Sequence, residues 1–212
     1  CRVLEVKQPV PTGNFTSALV PSSVAVMPGN NLLIGEGARR IRSGPDKADR
    51  VRDADFFYET KNDMGLQKTY AGAPEQLDRA YKVAGHILAF LMEAAEDNAT
   101  LPCRSVSVTV PASFHLNQRR DTLRACQMAD LHLNEGNLLE EPAAALIDYL
   151  MADQGNPIVA GQGETTCMIF DFGGGTCDVS VIKIAANGKN QPLLLSELSI
   201  SRYHRLGGGD ID

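Results

Sequence analysis

The chain has 212 residues, a formal net charge of −6, and 43% hydrophobic against 22% charged residues, the balance of an ordinary globular protein of one large or two small domains. No run approaches the roughly 18 apolar residues of a membrane-spanning helix, and the most apolar stretch, Ile87 to Ala95, is broken by Glu93. The densest positive cluster is Arg39, Arg40 and Arg42; read as a solvated face, it argues against a nucleic-acid partner, which needs a concentrated positive surface.

From Val3 to Ile34 short β-type runs alternate with turns: Val3–Val6, Ser23–Met27 and Leu32–Ile34, separated by Pro-Thr-Gly and Pro-Gly-Asn-Asn. Residues 44–72 are charged and weakly patterned, which predicts a loop with short elements. Pro74 then opens a strong helix whose apolar positions, Leu77 to Ala95, recur three or four apart until Asp97-Asn98. Ser105 to Val110 alternates as a strand stopped by Pro111, and a helix follows from about Leu116 to Ala129. A short strand is expected near Gly136 to Leu139 and a helix from Pro142. Gln154 to Thr166, with three glycines and a proline, predicts a connection between lobes. Beyond it, Met168–Asp171, the Gly173–Thr176 turn and Val179–Val181 read as a β-hairpin, and a last strand covers about Leu193 to Tyr203. Strands mixed with helices predict an α/β fold.

The five cysteines (Cys1, Cys103, Cys126, Cys167, Cys177) show no CxxC spacing and are expected to be small buried thiols in a reducing compartment. The four histidines stand singly, so no zinc site is expected. The first residues lack the apolar core of a signal peptide, which predicts a cytoplasmic protein. A start without Met suggests that residues before Cys1 have been lost.

The sharpest local feature is Asp171-Phe172-Gly173-Gly174-Gly175-Thr176-Cys177-Asp178. Three glycines at a turn remove every Cβ, so phosphate oxygens can reach backbone N–H groups, and Thr176 adds a hydroxyl donor. Asp171 and Asp178 flank the turn, where two carboxylates can hold the hydration shell of a magnesium ion. The residues alone leave two readings open, this cradle or a plain hairpin turn with solvated aspartates.

The stretch resembles a phosphate-binding motif of DnaK-type (seventy-kilodalton heat-shock protein) chaperones, and other segments are similar in the same order. Ser105 to Phe114 (SVSVTVPASF) resembles a family strand ending in Val-Pro-Ala-x-Phe, followed by Gln118-Arg119. Glu140 to Ala145 (EEPAAA) is similar to its Asn-Glu-Pro-Thr-Ala-Ala, and Leu206 to Asp212 (LGGGDID) to its Leu-Gly-Gly-x-Asp-Phe-Asp. Arg2–Glu5 and Leu33–Gly35 fit segments near the family's start, and Glu59 to Gly65 (ETKNDMG) falls where it has Asp-Ala-Lys-Arg-Leu-Ile-Gly.

The resemblance implies an actin-like, ribonuclease-H-like ATPase fold, incomplete here: most of the first lobe plus the opening β-strands of the second. In that layout residues 1–153 belong to the first lobe (about 16–100 peripheral, 101–153 core), 154–166 connect, and 167–212 begin the second lobe. The implied ligands are ATP or ADP and Mg2+, and in the parent protein unfolded peptide clients and cochaperones, with a stress-response role. Catalytic roles are implied for Lys61, Glu141, Asp171 and Asp178, with Asp171 and Asp178 holding magnesium through water. Gly173, Gly174, Gly175, Thr176, Gly207 and Gly208 would bind nucleotide phosphates, while Pro111 and a surface arginine, Arg119, would relay nucleotide state to a peptide-binding domain. Asp171 and Asp178 are expected on one side of their turn, with Glu141 directed toward them. No first phosphate loop precedes Cys1 and no adenosine pocket follows Asp212, so the chain alone is expected not to turn over ATP. Asn62, Glu140, Ala143 and Gly209 depart from the family pattern; Glu140 and Asn62 favour the alternative of a non-hydrolysing regulatory relative. A small-molecule kinase of the same fold is the more distant alternative.

Overall fold

The computed structural model describes residues 3–44, 51–99, 105–152, 157–160, 162–173, 177–187 and 192–202. Gly174, Gly175, Thr176, Gly207, Gly208, Cys1 and Cys103 lie outside them. The chain forms a mixed α/β fold of two compact units, residues 1–106 with 116–135 and residues 107–115 with 136–212.

The first unit opens with a hairpin of β1 (Val6–Val10) and β2 (Gly13–Ser17), in which Val10 faces Gly13. Next, β3 (Ser23–Met27) takes the centre of an antiparallel sheet between β4 (Asn31–Ile34) and β5 (Phe56–Tyr58). Its Val24 and Ala25 are fully buried, as a central strand of β-branched and small residues requires. Helix α1 (Glu36–Ser43) covers this sheet, and Ala25, Ala38, Ile41 and Phe56 form the core between them. Buried Gln8 on β1 joins the parts: its Nε2 donates to the Leu19 carbonyl at 2.9 Å, and its Oε1 accepts from the Glu36 N–H at 2.9 Å, capping α1. Helix α2 (Ala80–Asn98) packs along α3 (Leu116–Met128). Gly85 permits the approach, since a Cβ there would lie 2.9 Å from Met128 Cβ and 3.2 Å from the Ala125 carbonyl.

In the second unit β6 (Val108–Val110) pairs in parallel with β7 (Leu138–Glu140), and α4 (Glu141–Ala152) follows β7 directly. After a short α5 (Pro157–Ala160), β8 (Gln162–Phe172), β9 (Cys177–Asn187) and β10 (Leu194–Ile200) make an antiparallel sheet in the order β10-β9-β8. Leu146 and Leu150 of α4 meet Ile182 and Ile184 of β9 in a shared core.

Two sequence expectations change. The first strand lies at Val6–Val10 rather than Val3–Val6. Arg39, Arg40 and Arg42 are exposed on α1, as a solvated face requires, and Arg39 and Arg40 also bind Glu36, at 2.7 and 2.9 Å. The described part of the expected 154–166 connection holds α5 and the first residues of β8. Helix α4 packs on the hairpin sheet, while α3 packs on α2. Among the described residues no helix is long and apolar enough to cross a membrane.

Hydrogen bonds from Arg39 and Arg40 hold the Glu36 carboxyl well below its ordinary range, at about 2. A depressed acid stabilises the fold above its unfolded pKa and loses that contribution as pH falls through the folded value. In acid titrations of unfolding, the stability advantage of the native chain over Glu36→Gln should therefore be constant at neutral pH. It should shrink from about pH 4.5 down to about pH 2.

Candidate functional site

Along β8 and β9 the pleat alternates one covered and one open face. Register pairs Cys167 with Ile182, Ile169 with Ser180 and Asp171 with Asp178. Residues directly opposite in an antiparallel pair share a face, so both carboxylates lie on the side that carries the apolar core. Asp178 is 2% exposed and Ser180 1%, while Asp171 is half-buried. The opposite face shows Met168, Phe170 and Phe172 to solvent, the two phenyl rings stacked with centroids 6.4 Å apart.

A buried carboxylate is costly unless it is hydrogen-bonded, and Asp178 accepts a short bond from the Ser113 hydroxyl. Ser113 lies just past β6, in the buried run Pro111-Ala112-Ser113-Phe114. Sequence reading missed it; the available signal was one hydroxyl inside an otherwise apolar buried stretch. The Ser180 hydroxyl, two residues from Asp178 on the same face, has no hydrogen-bond partner among the described residues. An unpaired buried hydroxyl costs about 1–3 kcal/mol, and with two facing acids it leaves this face polar beyond what its own side chains satisfy. Glu141, half-buried, is the first residue of α4. Because Val110 is level with Glu140 in the parallel pair, Pro111 and Glu141 leave neighbouring strand ends. Among the described residues no three His, Cys, Asp or Glu side chains gather to ligate a metal. Direct coordination by Glu141, Asp171 and Asp178 together is thus not formed, whereas a hydrated magnesium ion needs only two carboxylates and its own waters.

Lys61 belongs to the first unit, exposed on a 3-10 turn at Thr60–Asp63 after β5. Bonds invisible in the sequence pattern fix this turn. The Tyr70 hydroxyl donates to Asp63 at 3.0 Å and Lys68 binds the same carboxylate at 2.7 Å; burial, then the Asp63 charge, raises the Tyr70 pKa. Two residues on, the Gly65 N–H donates to Asp121 at 2.8 Å and its carbonyl accepts from Asn117 at 2.9 Å. Gly65 has φ 77°, and a Cβ there would lie 2.8 Å from Asn117 Nδ2, so only glycine suits both the backbone and the gap. The Arg119 side chain is 21% exposed, and its Nε donates to Glu135 Oε2 at 3.2 Å.

Residues 49–212 match the family model described as Hsp70 protein. The chain belongs to the Hsp70 family. It is 29% identical over 211 residues to the protein named Chaperone protein DnaK of Mycoplasmopsis pulmonis, covering 99% of this chain and 31% of that protein. It is 32% identical over 152 residues to the Chaperone protein HscA homolog of Acinetobacter baumannii strain SDF, covering 72% of this chain and 22% of that one. The chain thus spans about a third or less of the length of these curated relatives. The matched part of this Hsp70-family chain contains the Lys61 turn, the Ser113 segment and the β8–β9 hairpin.

Asp121→Ala strips Gly65 and Arg124 of their shared acceptor. It should lower urea-unfolding stability by about 1–3 kcal/mol. Gly65→Ala should also destabilise the chain, while Asn98→Ala, at the exposed end of α2, should cost well under either.

Proposed function

We propose that this Hsp70-family chain is part of the ATP-binding and hydrolysing domain of a DnaK-type chaperone, built on an actin-like ATPase fold. The observation that carries the reading is the facing pair Asp171 and Asp178 on one side of a glycine hairpin, with Asp178 anchored by Ser113. In this reading Gly173, Gly174, Gly175 and Thr176 offer backbone and hydroxyl donors to nucleotide phosphates, and Gly207 and Gly208 do the same farther along. The two aspartates fit a magnesium ion held through water, which when bound supplies charge neutralisation to the phosphates. Asp178, already donor-bound, fixes its geometry, and half-buried Asp171 offers the more accessible carboxylate. Glu141 orients water, and the Lys61 ammonium neutralises developing charge, the main work in phosphoryl transfer. Pro111 and Arg119 transmit nucleotide state toward a peptide-binding domain of the whole protein, whose partners are unfolded peptides and cochaperones in the cytoplasm.

A second reading, nucleotide binding without turnover, draws on Glu140, which adds a negative charge beside Glu141, and on Asn62 next to Lys61.

Hydrogen exchange on the chain with and without magnesium ADP tests the nucleotide site. Amides around 170–180 should slow with nucleotide, recover on chelation of magnesium, and respond about tenfold more weakly in Asp171→Asn, the loss of one charge-assisted contact. Absence of hairpin protection at millimolar nucleotide would remove the proposal. Phosphate release by the full-length protein decides between the two readings: turnover abolished by Lys61→Ala supports hydrolysis, and binding without turnover supports the regulatory relative.

A further inference from the structure

The first unit contains an open groove of about 780 Å3 between the Gly65 turn, the start of α2 and one side of α3. Three guanidiniums line it, Arg79, Arg120 and Arg124, against one carboxylate, Asp121. That carboxylate is already engaged, accepting from Gly65 and from Arg124 at 3.0 Å. Neither Arg79 nor Arg120 has an ion-pair or hydrogen-bond partner for its side chain among the described residues. On a chain of net charge −6, where carboxylates outnumber cations, two unmatched guanidiniums facing one cavity run against the average.

The surroundings add to the positive field. Arg79 stands at the N-cap of α2, makes no side-chain cap bond, and is followed by a first turn without an acid; the neighbouring Asp78 is engaged by Lys82 at 2.9 Å, so the N-terminal pole of this 19-residue helix adds to the positive field. Arg124 is steered by the Tyr81 ring, 5.7 Å from its centroid. Guanidinium forks are weakly hydrated and match the oxygens of phosphate in paired hydrogen bonds.

We propose that this groove is a binding site for a small phosphate-bearing anion, clasped by Arg79 and Arg120 and separate from the hairpin. Arg124 closes one wall, and Asp121 keeps the Gly65 turn in place as the floor. Because the groove borders the turn that carries Lys61, an occupied site stiffens that turn.

The probe is pyrophosphate, added to the magnesium-free chain at low salt. The Nε–Hε resonances of Arg79 and Arg120 should shift saturably, and the thermal midpoint should rise. Arg79→Gln with Arg120→Gln should bind at least about tenfold more weakly, and exposed Arg120→Gln alone should show an intermediate loss. Asp171→Asn should titrate like the native chain, which separates this site from the nucleotide reading. Unchanged binding by the double variant, loss of binding in Asp171→Asn, equal binding of citrate, or no arginine shift at millimolar pyrophosphate would each overturn the proposal.

Discussion

Asp178 is a carboxylate almost wholly removed from water, and the Ser113 hydroxyl is what makes that burial tolerable. The two residues are 65 positions apart, so their bond ties the end of the parallel β6–β7 pair to the start of β9. The inner face of the hairpin can then be polar at its turn end and apolar farther along, where Leu146 and Leu150 cover Ile182 and Ile184. A sheet face divided in this way presents acids at one end without exposing its core. Ser180, without a hydrogen-bond partner among the described residues, marks the boundary.

The first unit solves a comparable problem with polar side chains that reach far along the sequence. Gln8 carries no charge, yet its buried amide satisfies a loop carbonyl and the first N–H of α1 together. Lost there, those bonds would leave the amide and both backbone groups without partners, a heavier penalty than the bonds' own modest net value. The Gly65 turn follows the same logic, with the Asn117 amide and the Asp121 carboxylate taking the place of a strand neighbour.

Much of this was legible in the sequence, and the missing parts share a cause. Helices α2 and α3 and the central strand β3 follow local periodicity, which a linear reading can measure. The placement of Asp171 and Asp178 on one face was legible too, because hairpin register is a short-range property. Helix α1 was not, because its cap comes from Gln8, 28 residues earlier. The same holds for Asn117 and Asp121, which reach back 52 and 56 positions to Gly65, and for Ser113. Each is a polar side chain whose partner is set by tertiary contact, where composition and spacing are silent.

The solvent side of β8 has a practical bearing on handling. Among the described residues β8 is an outermost strand of its sheet, eleven residues long, with Met168, Phe170 and Phe172 uncovered. Free backbone groups along such a margin template pairing with another chain, and flat stacked rings strengthen the match. At high concentration the bare polypeptide is therefore drawn toward sheet-like aggregates that begin at Met168–Phe172. Charged substitutions at Phe170 would act as gatekeepers against that assembly while leaving the inward acids untouched.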